Sequence, residues 1–72
     1  MSDPEFARRV VQTALRLIDE NPHGSTTGED IVRALGADET DVYYALRDAD
    51  QLGQIDAYFP GGMALPELIR RR

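Results

Sequence analysis

The chain has no cysteine, no lysine, one histidine and no long apolar run. Without cysteine, neither a disulfide nor a thiolate-held metal can staple it. His23 sits in a loop after Asn21 and Pro22, with no second histidine to join it. A metal site needs three or four protein ligands, so His23 reads as a surface residue, and no metal or other cofactor is expected. No segment approaches the roughly 20 apolar residues of a membrane span. The start, MSDPEF, is not a basic stretch followed by an apolar one. A cytoplasmic location with no membrane partner is therefore expected. Catalytic constellations are missing too. Asp19-Glu20, Glu29-Asp30 and Asp38-Glu39 are pairs of sequence neighbours. Adjacent helical side chains diverge, whereas catalytic carboxylates must converge on a substrate. With only 72 residues available to enclose a pocket, the expectation is no enzyme and no small-molecule substrate.

What the chain does have is a globular composition, with 42% hydrophobic residues, and a net charge of −5 from 13 acidic and 8 basic residues. All the basic residues are arginine. Arginine without lysine fits a biased genome composition, and the acid excess also suits a salt-rich cytoplasm. The summed field of such a chain repels phosphate polyanions. One small domain, 1–72, is expected, close to the size at which a single core barely suffices.

The first helix is predicted over 3–20. Ser2 with Glu5 makes a capping box. Alternatively Asp3 caps and Pro4 takes the first helical position, where its missing N–H costs nothing. Phe6, Val10, Ala14, Leu17 and Ile18 recur at three- and four-residue steps, widened by Val11 and Leu15. Asn21 before Pro22 ends the helix. The Ser-Thr-Thr run that follows can pair with a later strand. Thr27 caps a second helix over 28–35, with Ile31, Ala34 and Leu35 facing inward and Gly36 breaking it. Asp38 caps a third over 39–52. Glu39 and Asp41 suit the positive end of its macrodipole, and Val42, Ala45, Leu46, Ala49 and Leu52 form its buried stripe. Strands are predicted over 54–59 and 63–66. A three-residue loop, Pro60-Gly61-Gly62, would set Met63 opposite Phe59 and Leu65 opposite Ala57, all on one face. Pro66 would end the second strand. Leu68 and Ile69 would dock back, and Arg70, Arg71 and Arg72 would form a frayed basic tail. The fold class is α+β, with three helices and a two-stranded antiparallel hairpin.

The apolar and glycine spacing in Ile31-Val32-Arg33-Ala34-Leu35-Gly36, Val42, Ala45-Leu46 and Leu52-Gly53-Gln54-Ile55 resembles the winged helix-turn-helix superfamily, in particular the small regulators of bacteria and archaea. The resemblance covers almost the whole chain. It implies a DNA-binding transcriptional regulator whose third helix enters the major groove of double-stranded DNA while the hairpin tip touches backbone or minor groove. Carried over by position, the groove-facing residues are Glu39, Thr40, Tyr43, Tyr44 and Arg47. Thr27 would offer a hydroxyl and N–H groups to a phosphate. The wing tip is 59–63, from Phe59 through Gly61, with Tyr58 beside it.

At those positions the chain departs from a DNA reader. Residues 38–51 hold five acidic residues and one basic, Arg47. The wing tip has no cation, and Tyr58, Phe59 and Pro60 suit apolar contact. The first-turn carboxylates either read cytosine amino groups or simply cap and solvate the helix. Tyr43 and Tyr44 point about 100° apart, so one packs under the hairpin and the other is free to stack on a base or anchor a partner. Arg70, Arg71 and Arg72 either clamp phosphate or fray. Two functions stay open: the DNA-binding regulator, and a protein-interaction module on the same fold using the acidic third helix and exposed aromatics, with a protein partner or a second copy.

Overall fold

The computed structural model describes residues 3–72. Asp3 caps α1 (Pro4–Glu20), its carboxylate accepting the Glu5 N–H, with Pro4 in the first turn. The rival cap, Ser2, lies outside the described residues. Asn21 leaves the helix in extended geometry, as a residue before proline must. Its side-chain amide then donates to the Ser25 carbonyl at 2.6 Å, which fixes the start of β1 (Ser25–Thr26). α2 (Gly28–Leu35) starts at the Thr27 cap and stops at Gly36, which adopts left-handed geometry with φ of 63°. α3 (Glu39–Gln51) starts at the Asp38 cap. β2 (Asp56–Tyr58) and β3 (Leu68–Arg70) complete the chain.

The protein is α+β, with three helices and a small antiparallel sheet of three strands, not two. The order is β1-β3-β2, so β3 is central. Thr26 pairs with Ile69, and Ala57 pairs with the same Ile69 from the other side. The core joins Val10, Ala14 and Ile18 of α1, Ile31 of α2, and Val42, Ala45, Leu46 and Ala49 of α3 to Ile55 and Ile69. Each fully buried Ile or Leu contributes on the order of 1.5–3 kcal/mol. A polar tie also joins sheet to helix. The Asp50 carboxylate accepts the Ala57 N–H at 3.0 Å, which closes a donor on the outer edge of β2 that would otherwise invite another strand.

The last third of the chain overturns the predicted hairpin. The second strand is Leu68–Arg70, not 63–66, and the connection runs over 59–67, not three residues. Tyr58 pairs with Leu68, and its carbonyl accepts the Glu67 N–H at 3.1 Å. Met63 is 57% exposed and does not share a face with Phe59. Pro66 does not end a strand; it is fully buried in front of one. Ile69, expected only to dock, is a strand residue with no exposure. Two residues placed in helix stripes also face water, Ala34 and Leu52, the latter 74% exposed as the C-cap of α3. For the strand the reason is that alternation says which residues could share a face, but the choice among registers is made by what the loop rests on; Leu52 lies past the last helical residue of α3, where the helical period no longer applies.

Candidate functional site

The long loop rests on the start of α2. Gly28 is buried, and a Cβ built there would lie 2.8 Å from Pro66 Cδ and 2.9 Å from Leu65 Cβ. Only glycine lets the loop sit this close. The Gly28 N–H donates to the Pro66 carbonyl at 3.0 Å. At the other end, α3 holds the loop tip. The Tyr43 hydroxyl donates to the Gly62 carbonyl at 3.2 Å, and that of Tyr44 points at Met63 Sδ, 3.8 Å away. Tyr43 is buried, its ring edge-on to Phe59 at 5.6 Å and to Tyr44 at 5.3 Å. Tyr44 is exposed. The two tyrosines differ in burial, but their rings meet edge-on and both reach the loop.

Between these supports runs a groove of about 660 Å³. One wall is the helix starts, with Thr27 and Glu29 from α2 and Glu39 and Thr40 from α3. The other wall is the loop, with Pro60, Met63, Ala64, Leu65, Pro66 and Glu67. Among the described residues three carboxylates line it and no basic side chain does. Glu29 is shared with Arg33 at 3.5 Å, both groups well exposed, a geometry worth little in water. Two N–H groups at the start of α2 are already used. Thr27 Oγ1 accepts the Asp30 N–H at 3.1 Å, and the Gly28 N–H serves Pro66. The Thr27 side chain, which the resemblance offers to a phosphate, thus caps its own helix.

The cations lie elsewhere. Arg47 is exposed on α3 outside the groove lining. The Arg70 guanidinium sits over the Tyr58 ring at 5.4 Å, donates to its hydroxyl at 2.8 Å, and lies 3.6 Å from Asp56 Oδ2. These three form an exposed cluster on the sheet. Where the sequence predicts a frayed tail, Arg70 ends β3 and Arg71 grips Asp19 of α1 through two bonds, of 3.1 and 2.7 Å. That pairing lowers the Asp19 carboxyl from its ordinary value, first through the hydrogen bonds and then through charge, and raises Arg71 correspondingly. Arg72 is exposed beyond β3, beside Gly53.

Of the sequence-predicted contacts, Thr27 and Thr40 line the groove, while Tyr43 and Tyr44 hold the loop that contains Gly61 at Gly62 and Met63 without lining it. The structure separates Arg47, Tyr58, Arg70, Arg71 and Arg72 from that groove, and it turns Phe59 toward the core. The acidic count on the third helix also divides. Asp38 caps the helix and Asp50 ties down β2, while Glu39 and Asp41 are exposed charges in the first turn. Glu29, Leu65, Pro66 and Glu67 were not singled out as contacts from the sequence. The signal for them was Gly28, a glycine directly after a helix cap, where a close neighbour is the usual reason to forgo a side chain. Among the described residues no helix is long and apolar enough to cross a membrane. Comparison with protein-family models, curated proteins and solved structures finds no match, so what the groove does has to be argued from its own residues.

Proposed function

We propose that this chain is a winged helix-turn-helix domain that works as a protein-interaction module, not as a reader of DNA. The order of one helix, a helix–turn–helix with left-handed Gly36 in its turn, and an antiparallel pair with a long loop supports the winged reading. The observation that carries the function is the groove where the third helix meets the wing, lined by Glu29, Glu39 and Glu67 and by no cation. A DNA reader places that face between two rows of phosphates. Each phosphate neutralised contributes about 0.9 to the slope of log affinity against log salt, and nothing in this groove can neutralise one. Arg70 and Arg71, the cations nearest in role, are held by Asp56 and Asp19.

The test is a fluorescence-anisotropy titration of a labelled random duplex and of a labelled oligo-arginine peptide, at low and at moderate salt. The expected result is peptide binding that weakens with salt, and no duplex binding at low salt. Non-specific DNA binders reach dissociation constants of about 1–100 µM even at physiological salt. Duplex binding in that range at low salt, lost on Arg47→Ala, would overturn the reading in favour of a DNA-binding regulator.

A further inference from the structure

We infer that the groove takes a short segment of a partner protein in which an arginine or lysine stands next to an apolar side chain. This rests on the interaction-module reading and names what that module holds. Three features of the groove combine. Among the described residues its lining holds Glu39, Glu67 and Glu29, the last already shared with Arg33, and no lining cation, in a chain whose net charge is −5. Its loop wall is apolar, built from Pro60, Met63, Leu65 and Pro66. Its volume, about 660 Å³, falls among ordinary ligand clefts and far exceeds what one ion needs.

Charge alone would leave a cation in water, where it is better solvated. An apolar ligand alone would strip water from Glu39 and Glu67 and return nothing to them. A cationic residue beside an apolar one satisfies both walls at once. Met63 is the adaptable part of the apolar wall: 57% exposed, unbranched, and steadied through its sulfur by Tyr44. The groove is also preformed. Gly28 and Pro66 lock one end, and Tyr43 on Gly62 holds the other, so little ordering is left for the partner to impose.

The test uses the ¹⁵N-labelled full chain and two nine-residue peptides built on glycine and serine. One carries two Leu-Arg pairs; the other keeps the arginines and has serine for each leucine. The Leu-Arg peptide should shift the amides of Thr40, Met63, Leu65 and Glu67 and bind about tenfold more tightly than the arginine-only peptide, the return expected for burying a leucine. The double variant Glu39→Gln, Glu67→Gln should lose about tenfold, at up to fivefold per carboxylate. Glu5→Gln, the same chemical change on α1, should lose nothing. Met63→Gln should erase the preference between the peptides. All three variants change exposed side chains, and circular dichroism checks that they fold.

Equal affinity for the two peptides would overturn the inference, as would shifts centred on α1 or the sheet, or no loss in the double variant. In each of those outcomes peptide binding survives, so the chain still takes a basic partner while the paired cationic and apolar occupant of this groove is ruled out. Binding of duplex with no binding of either peptide would sink both. Groove amides that shift with protein concentration alone would mean a second copy occupies the site, which also overturns the inference.

Discussion

Gly28 sets the width of the groove by what it lacks. Its φ is not left-handed, so conformational freedom is not why it is there; space is. Alanine would place a methyl group 2.8 Å from Pro66 Cδ and 2.9 Å from Leu65 Cβ. Overpacking of this kind costs about 1–3 kcal/mol. Against it stands the gain from replacing glycine in a helix, at most about 1 kcal/mol and less in a first turn. Gly28→Ala should therefore be destabilised, read as a lower urea midpoint with an unchanged slope, and its groove should open as the loop is pushed off α2. A midpoint at or above that of the unchanged chain would mean the loop does not rest on the helix. At the same scale, some of the site could be read from the sequence. Of two adjacent tyrosines on a helix only one could be buried, and Tyr43 is while Tyr44 is exposed, although their rings still meet edge-on. Which of them went inward depended on Phe59 and Gly62, sixteen and nineteen residues downstream, and no local signal carries that.

Among elements, the helices were legible and the last strand was not, for a physical reason. Helix ends are written in short-range chemistry: Thr27 and Gly36 bracket α2, and Asp38 starts α3. The partner of β2 is chosen across a loop, and the apolar alternation of Phe59, Met63 and Leu65 fitted a tight hairpin as well as any other register. What broke the tie was Leu65 and Pro66 seating on Gly28, together with Ile69 filling the core between β1 and β2. Having taken the central place, β3 is fastened at its end by Arg71 on Asp19. This clip makes a pH prediction. The Asp19 carboxyl is lowered in the folded chain, so its contribution is present above the ordinary aspartate value, about 4, and is lost as pH falls through the folded value. Arg71 is raised, so its share is present below its ordinary value and would fade only far above neutrality. Both groups are fully exposed, so the effect is small. Asp19→Asn should unfold at a slightly lower urea concentration than the unchanged chain at pH 7 and at pH 5, and the gap should close below about pH 4. A gap that persists in strong acid would show that Asp19 acts through something other than its charge.

For the whole molecule, the acidic excess that argues against DNA also bears on stability. The chain measures 33 × 25 × 22 Å. At 10 mM salt the screening length is about 30 Å, as long as the protein, and at 0.15 M it is about 8 Å. Between those concentrations, repulsion across the molecule fades. The favourable contacts at 2.7 to 3.6 Å, such as Arg71 with Asp19 and Arg70 with Asp56, lie well inside either length and are screened far less. Net repulsion is therefore the first thing salt removes, and the melting temperature should rise from 10 mM to 0.15 M sodium chloride. A globular chain held together mainly by exposed ion pairs would do the reverse. The double variant Glu39→Gln, Glu67→Gln sharpens the test. Losing two carboxylates takes the net charge from −5 to −3. Because self-repulsion goes as the square of charge, it drops to about a third. That variant should respond to salt far less. A flat or falling melting temperature in the unchanged chain would mean that its carboxylates are neutralised within the fold, and a groove whose charge is already balanced would have no call on a basic partner.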